Sequence, residues 1–149
     1  MIEAYRLHSS RYPANEGTGA AVNGGRWNPT GTGVIYAAAS RSLAVLEILV
    51  HYSVLPRDFV ITPISIPDGV SIMGVPDSVL ADGWNQPTPI PATQEYGRTW
   101  ITTNGSAVLI VPSAVMPRER NFVLNVLHPD FRKIAFGPSE RFPFDPRLK

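Results

Sequence analysis

The chain has 149 residues, the size of a single domain, and leaves little room for a second independent core. Hydrophobic residues make up 44% and charged residues 17%, which excludes a disordered chain; 12 glycines that cluster and 15 prolines that are spread out point to an irregular, loop-rich fold. A net charge of +1 excludes a global field able to hold a polyanion, so direct nucleic-acid binding is not expected, and the absence of cysteine excludes a disulfide framework, a zinc ribbon and a thiol nucleophile together.

Residues 1–149 therefore read as one domain. Met1 to Arg6 lack an apolar signal core and no run approaches the roughly 20 apolar residues of a membrane helix, so a cytoplasmic protein without a membrane segment is expected. A first strand is predicted near Ile2 to Leu7. The glycine-rich stretch Gly17 to Pro29, with a further turn over Thr30 to Gly33, reads as a loop whose backbone can approach a ligand closely. Val34 to Ala39 is a compact apolar strand, and Ser40 caps a helix predicted over Arg41 to Tyr52. Asp58 to Ile66, bracketed by prolines, reads as another strand, and Pro67 to Pro91 as mostly loop with one short helix. A second helix is predicted over Gln94 to Asn104, with Thr93 as its cap and Gly105 at its stop. Ala107 to Val111, Asn121 to Leu127 and Phe131 to Phe136 complete the strands, and the order suggests a mixed α+β fold.

Glu47 is the first candidate for chemistry. On a helical wheel it falls between Leu43, Leu46 and Val50, an apolar line where a carboxylate needs hydrogen bonds, a cation or a wet cleft; the alternative is a Glu at the stripe edge, paired with His51 one turn on. Arg26, between Gly25 and Trp27, could hold a phosphate bidentately or simply stack on Trp27. The glycines around it match neither G-x-G-x-x-G nor a Walker A loop. Tyr36, mid-strand beside small alanines, could stack on a planar ligand, although the segment alone favours a core tyrosine with a satisfied hydroxyl. Ser113 follows a buried-looking strand at a position that suits a ligand hydrogen bond, without the G-x-S-x-G elbow of a nucleophile. His8, His51 and His128 show no ligand spacing, so no metal is expected, and His128 with Asn121 and Asn125 reads as a structural network.

Taken together, Tyr5-Arg6, Gly24-Gly25-Arg26-Trp27-Asn28-Pro29-Thr30-Gly31, Val34-Ile35-Tyr36-Ala37-Ala38, Leu43 to His51, Val111-Pro112-Ser113, Asn121 to Asn125 and His128-Pro129 resemble the RES-domain family, named for an Arg, a Glu and a Ser, here Arg26, Glu47 and Ser113. Phe142 to Leu148 resembles the family's C-terminal strand. The resemblance implies the toxin of a bacterial toxin–antitoxin pair, with a fold similar to ADP-ribosyltransferases of the diphtheria-toxin type, acting on NAD as substrate and needing no resident cofactor. It implies that Glu47 stabilises an oxocarbenium-like transition state, that Arg26 holds the pyrophosphate with help from Arg6, that Tyr36 stacks on the nicotinamide or its ribose, and that Ser113 bonds the nicotinamide side or orients Glu47. The acceptor is left open between water and phosphate, with mono-ADP-ribosyl transfer to a host protein as the alternative. The implied partner is an Xre-like helix-turn-helix antitoxin that brings the DNA contact, and a homodimer within that complex is compatible with the reading.

Overall fold

In a computed structural model that describes residues 1–149, a single eight-stranded sheet carries the chain. Its strands are β1 (Ile2–Ser9), β2 (Ile35–Ala38), β3 (Phe59–Ile66), β4 (Ile72–Gly74), β5 (Val108–Pro112), β6 (Arg120–Leu124), β7 (Ala135–Phe136) and β8 (Glu140–Arg141). They run in the order β4-β5-β6-β2-β1-β3-β7, with β8 also on β3. Only β4 and β5 are parallel; the other pairs are antiparallel. Three helices, α1 (Thr18–Asn23), α2 (Arg41–Leu49) and α3 (Pro91–Thr102), complete the α+β architecture.

Strand alternation sorts the apolar residues onto two faces. On one, Ala4, Ile35, Ala37, Ile64, Val108, Phe122 and Leu124 form a continuous core closed by Val70 and Ile134. On the other, the core is in two parts. Leu7, Ala38, Phe59 and Ile61 pack under Leu43 and Ala44 of α2, while Leu109, Val111 and Val123 pack with Trp27, Val34 and with Trp100 and Ile101 of α3. The seam between the parts crosses β2 and β6, where Ala38 faces Asn121 and Tyr36 faces Val123.

Local rules account for most element ends. Ser40 caps α2 as expected, its Oγ accepting from the Leu43 N–H at 3.1 Å, but α2 stops at Leu49, and tight-turn bonds from His51 to Ile48 and from Tyr52 to Leu49 replace the predicted last turn. α3 begins three residues earlier than expected because Pro91 takes its first position, where a missing N–H costs nothing. Thr93 does not cap it; its hydroxyl donates to the Ile90 carbonyl. At the other end Asn104, at φ +50°, takes the left-handed position. The N–H groups of Asn104 and Gly105 return to the carbonyls of Ile101 and Trp100, so the stop is a Schellman motif with Gly105 one place beyond its left-handed residue.

Four further expectations are corrected. Thr18–Asn23 inside the glycine-rich stretch is helical, since Ala20 and Ala21 are strong helix formers. Pro67 to Pro91 contains the short strand β4 besides a 3-10 turn at Asp77–Val79. Phe131 to Phe136 is mostly a 3-10 turn over Pro129–Lys133, started by Pro129 and capped by the His128 ring, with only Ala135–Phe136 as strand. The C-terminal strand is Glu140–Arg141, and Pro146–Leu148 turns back as 3-10 helix.

Gly97 sets how closely α3 approaches the sheet side. A Cβ there would lie 1.6 Å from the Trp27 carbonyl oxygen, an overlap that only a backbone shift relieves. Elsewhere in a helix interior Gly→Ala stabilises by roughly 0.5–1 kcal/mol; Gly97→Ala is expected to destabilise by about 2 kcal/mol or more, read as a lower urea midpoint.

His8 makes stability pH-dependent. Its Nδ1 donates to the Ser9 carbonyl and its Nε2 accepts from Thr62 Oγ1. Burial, and secondarily the Arg6 charge, lower its pKa from the usual histidine value. The unfolded chain therefore binds a proton first as pH falls, so the His8 contribution is full above about pH 6.5 and is lost as pH drops through the lowered native value. Chemical denaturation between about pH 7.5 and 5 is expected to show stability falling with acid, and His8→Gln to flatten that slope.

Candidate active site

The seam between the two apolar clusters is where polar side chains converge. Glu47 lies on α2, half-buried, and its Oε1 accepts from Ser113 Oγ at 2.5 Å and from Asn121 Nδ2 at 3.0 Å. Neither bond goes to Oε2, which leaves that oxygen without a donor from the protein. His51 is exposed and takes no part. The helical stripe that singles out Glu47 holds at Leu43, yet Val50 is 53% exposed, so Glu47 marks the rim of the stripe where the helix meets the seam.

Ser113 is fully buried at the end of the β5 strand line. Its hydroxyl proton is committed to Glu47, and its oxygen accepts from the N–H groups of Val115 and Met116 at 3.2 and 2.9 Å. All three capacities of a hydroxyl are thereby used. The serine couples the carboxylate to two backbone dipoles and presents no free oxygen for attack.

Arg26 leaves the Gly24-Gly25 turn toward the same seam, near Glu47 and Tyr36. Its Nη1 donates to the Trp84 carbonyl at 2.8 Å and its Nη2 to the Gln86 carbonyl at 2.7 Å, which pins the guanidinium and leaves three of its five N–H groups for other acceptors. Burial lowers its pKa, while the nearby charge of Glu47 and then Tyr36 act in the opposite direction. It does not lie over Trp27: the ring under a guanidinium in this chain is Tyr5, beneath Arg41 at 4.3 Å.

Tyr36 holds the turn that delivers Arg26. Its hydroxyl donates to Asn28 Oδ1 at 2.6 Å and accepts from the Trp27 N–H at 3.0 Å, and burial raises its pKa, so the phenol stays protonated. Asn28, fully buried, sends Nδ2 to the carbonyls of Ala20, Thr32 and Pro29. Gly25 is required at this junction because a Cβ would meet Tyr36 Oη at 2.7 Å and Asn28 Oδ1 at 2.8 Å. From α3, Gln94 adds a bond to the Gly25 carbonyl at 2.9 Å.

The structure thus brings Arg26, Tyr36, Glu47 and Ser113 together, and it does not bring Arg6 to them. Tyr5 pairs with Ala38 on the cleft face, so Arg6 points to the opposite face of β1. Its guanidinium donates to the carbonyls of Ala14 and Glu16 and fastens the loop after β1; burial lowers its pKa to about 10. Of the expected structural network, Asn125 and His128 do make structural bonds, nearby to Leu127 and Asp130 and across the fold to Asn104 and Ser71. Asn121 instead bonds Glu47 at the seam, while Asn28 and Gln94, which carry no motif of their own, hold the turn that delivers Arg26. Two cavities of about 460 and 470 Å³ lie elsewhere, one around Phe59, Arg141 and Phe144, the other between Val79 and Tyr96; neither is lined by Arg26, Tyr36, Glu47 or Ser113, so the candidate site rests on its convergent polar side chains and not on a cavity.

The fold, unlike the site geometry, can be set beside known proteins directly. The RES domain model matches residues 3–145, and the chain belongs to the RES-domain family. It is 42% identical over 134 residues to "Toxin Res" of Photorhabdus laumondii, covering 87% of this chain and 85% of that protein. It is 35% identical over 137 residues to the "Prs ADP-ribosylating toxin" of a Sphingobium species, covering 89% and 84%. In fold it is similar to a chain of the crystal structure of the M. tuberculosis MbcT-MbcA toxin-antitoxin complex, with TM-score 0.62 and 19% identity over 93% of this chain and 82% of that one.

Ser113→Ala removes one donor to Glu47 and strands two amide N–H groups. It is expected to cost about 1–3 kcal/mol, measured as a shift of the urea midpoint with an unchanged slope.

Proposed function

We propose that this chain is the toxin of a bacterial toxin–antitoxin pair and that it consumes NAD by breaking the nicotinamide N-glycosidic bond. The observation that carries the reading is Glu47, with Oε1 fixed by Ser113 and Asn121 and Oε2 left without a protein donor. A carboxylate held this way needs no reorganisation when positive charge develops beside it.

As the C1′–N1 bond breaks, its electron pair returns to the nicotinamide ring, which leaves neutral, so no strong general acid is required; the ribose carries an oxocarbenium-like charge. Oε2 of Glu47 stabilises that charge or holds the ribose hydroxyls. Arg26, oriented by the Trp84 and Gln86 carbonyls, offers its remaining N–H groups to the pyrophosphate. Tyr36, its hydroxyl already occupied, contributes its ring face to the nicotinamide or its ribose. Ser113 acts by orienting Glu47. Arg6 acts at one remove, by fastening the Ala14 to Glu16 loop. Water at C1′ then gives ADP-ribose and a released proton, and phosphate gives the corresponding ADP-ribose phosphate.

The relative named as an ADP-ribosylating toxin favours a second reading, in which a protein side chain is the acceptor. Label from NAD that ends on a polypeptide supports it, and label recovered only as free ADP-ribose rejects it. The toxin–antitoxin complex formed by the fold neighbour supports an antitoxin partner, here one of Xre-like helix-turn-helix type that supplies the DNA contact.

Purified protein incubated with NAD is expected to release nicotinamide, and Glu47→Gln to lower kcat by about a hundredfold or more, the loss of roughly 3 kcal/mol of transition-state stabilisation. Undiminished activity in that variant would sink the mechanism. Arg26→Lys, which keeps the charge and loses the fork, is expected to raise KM for NAD more than it lowers kcat.

A further inference from the structure

One buried polar atom at the seam is unaccounted for. Asn121 Oδ1 is enclosed and receives no hydrogen bond, and it is alone in this among the buried side-chain nitrogens and oxygens of the chain. Turning the amide does not cure it. An ionised Glu47 only accepts, so Nδ2 has to face the carboxylate and Oδ1 is the end left over. Asparagines that serve the fold are satisfied at both ends here: Asn28 by Tyr36 and three carbonyls, Asn125 by the Leu127 N–H and Asn104. Asn121 differs in position as well. On β6 it stands between Ala38 and Val111, residues of the two different apolar clusters, at the seam where Glu47 descends.

A buried acceptor without a donor is unfavourable, and such defects persist where binding needs them. Resting on the reading of this seam as an NAD-cleaving site, we infer that Asn121 is a positioning residue for Glu47 whose Oδ1 accepts a hydrogen bond from the nicotinamide riboside half of the substrate, from a ribose hydroxyl or the carboxamide N–H. The atom is closed to solvent in the free chain, so its donor arrives with the substrate as the cleft adjusts. The two ends of one amide then act together: Nδ2 holds the carboxylate and Oδ1 reads the group the carboxylate must face.

The test compares wild type with Asn121→Leu, a near-isosteric change, and Asn121→Asp, which keeps an acceptor but cannot donate to an ionised Glu47. Each is assayed for kcat and KM with NAD, with NAD deoxygenated on the nicotinamide ribose, and with the analogue carrying acetyl in place of the carboxamide. Both variants are expected to lose about tenfold or more in kcat. Wild type is expected to discriminate by about tenfold or more against the analogue that lacks the donor, and Asn121→Leu to lose that discrimination; which analogue shows it names the donor. The Leu variant is expected to melt at or above wild type, because it removes an unpaired acceptor; if it melts lower, Asn121→Ser carries the same comparison without added bulk. Wild-type kcat in the variants, or unchanged discrimination, overturns the inference while the NAD reading stands. A wild-type protein that leaves NAD intact overturns that reading and this inference with it.

Discussion

The contact on which the rest depends is the pair of hydrogen bonds that Ser113 and Asn121 make to one oxygen of Glu47. A carboxylate taken partly out of water loses hydration that only donors or a cation replace, and here both are supplied, two donors directly and the Arg26 guanidinium through space. The same contact ties three elements, since α2 carries the Glu, the end of β5 leads to the Ser and β6 carries the Asn. Had the apolar core on this face been continuous, as it is on the other face, there would be no place for the carboxylate. The split between the α2 cluster and the α3 cluster is therefore the architectural condition for the site.

Arg26 reaches that seam through a chain of close approaches. Gly97 lets α3 press against the Trp27 backbone, Gly25 lets the turn pass beneath Tyr36 and Asn28, and Asn28 gathers carbonyls from α1 and the following turn. Gly25 and Gly97 are thus packing requirements, as a Cβ at either would overlap its neighbours. The loop over Trp84 and Gln86 completes the arrangement by gripping the guanidinium from outside, which gives the proline-rich segment before α3 a definite task. Trp84 also packs on Trp27, with ring centroids 6.4 Å apart, so the grip is anchored in the α3 cluster.

Much of this was legible in the sequence, and for physical reasons. Ser40 before an apolar repeat is a cap whose geometry hardly varies, and β3 and β5 carry β-branched runs with proline or glycine close by. Glu47 stood out because a carboxylate on a helical stripe violates the pattern. Asn121 did not, because a polar residue at the start of a strand violates nothing, and its role appears only when the register sets it opposite Ala38. Arg6 was legible as an arginine next to a strand tyrosine but not as one facing the other side of the sheet, since one step along a strand reverses direction. The helix at Thr18–Asn23 was hidden by the glycines around it, and the His128 cap turned an apolar run into a 3-10 turn.

The central claim is that the seam is the substrate site and that Glu47 and Arg26 address two ends of one dinucleotide. The most direct measurement is a crystal structure of Glu47→Gln soaked with NAD. The account predicts the pyrophosphate within hydrogen-bond distance of the Arg26 guanidinium and the nicotinamide ribose beside residue 47, over Asn121. A dinucleotide seated elsewhere, such as against Phe142 and Phe144, with Arg26 still bonded only to Trp84 and Gln86, would contradict it.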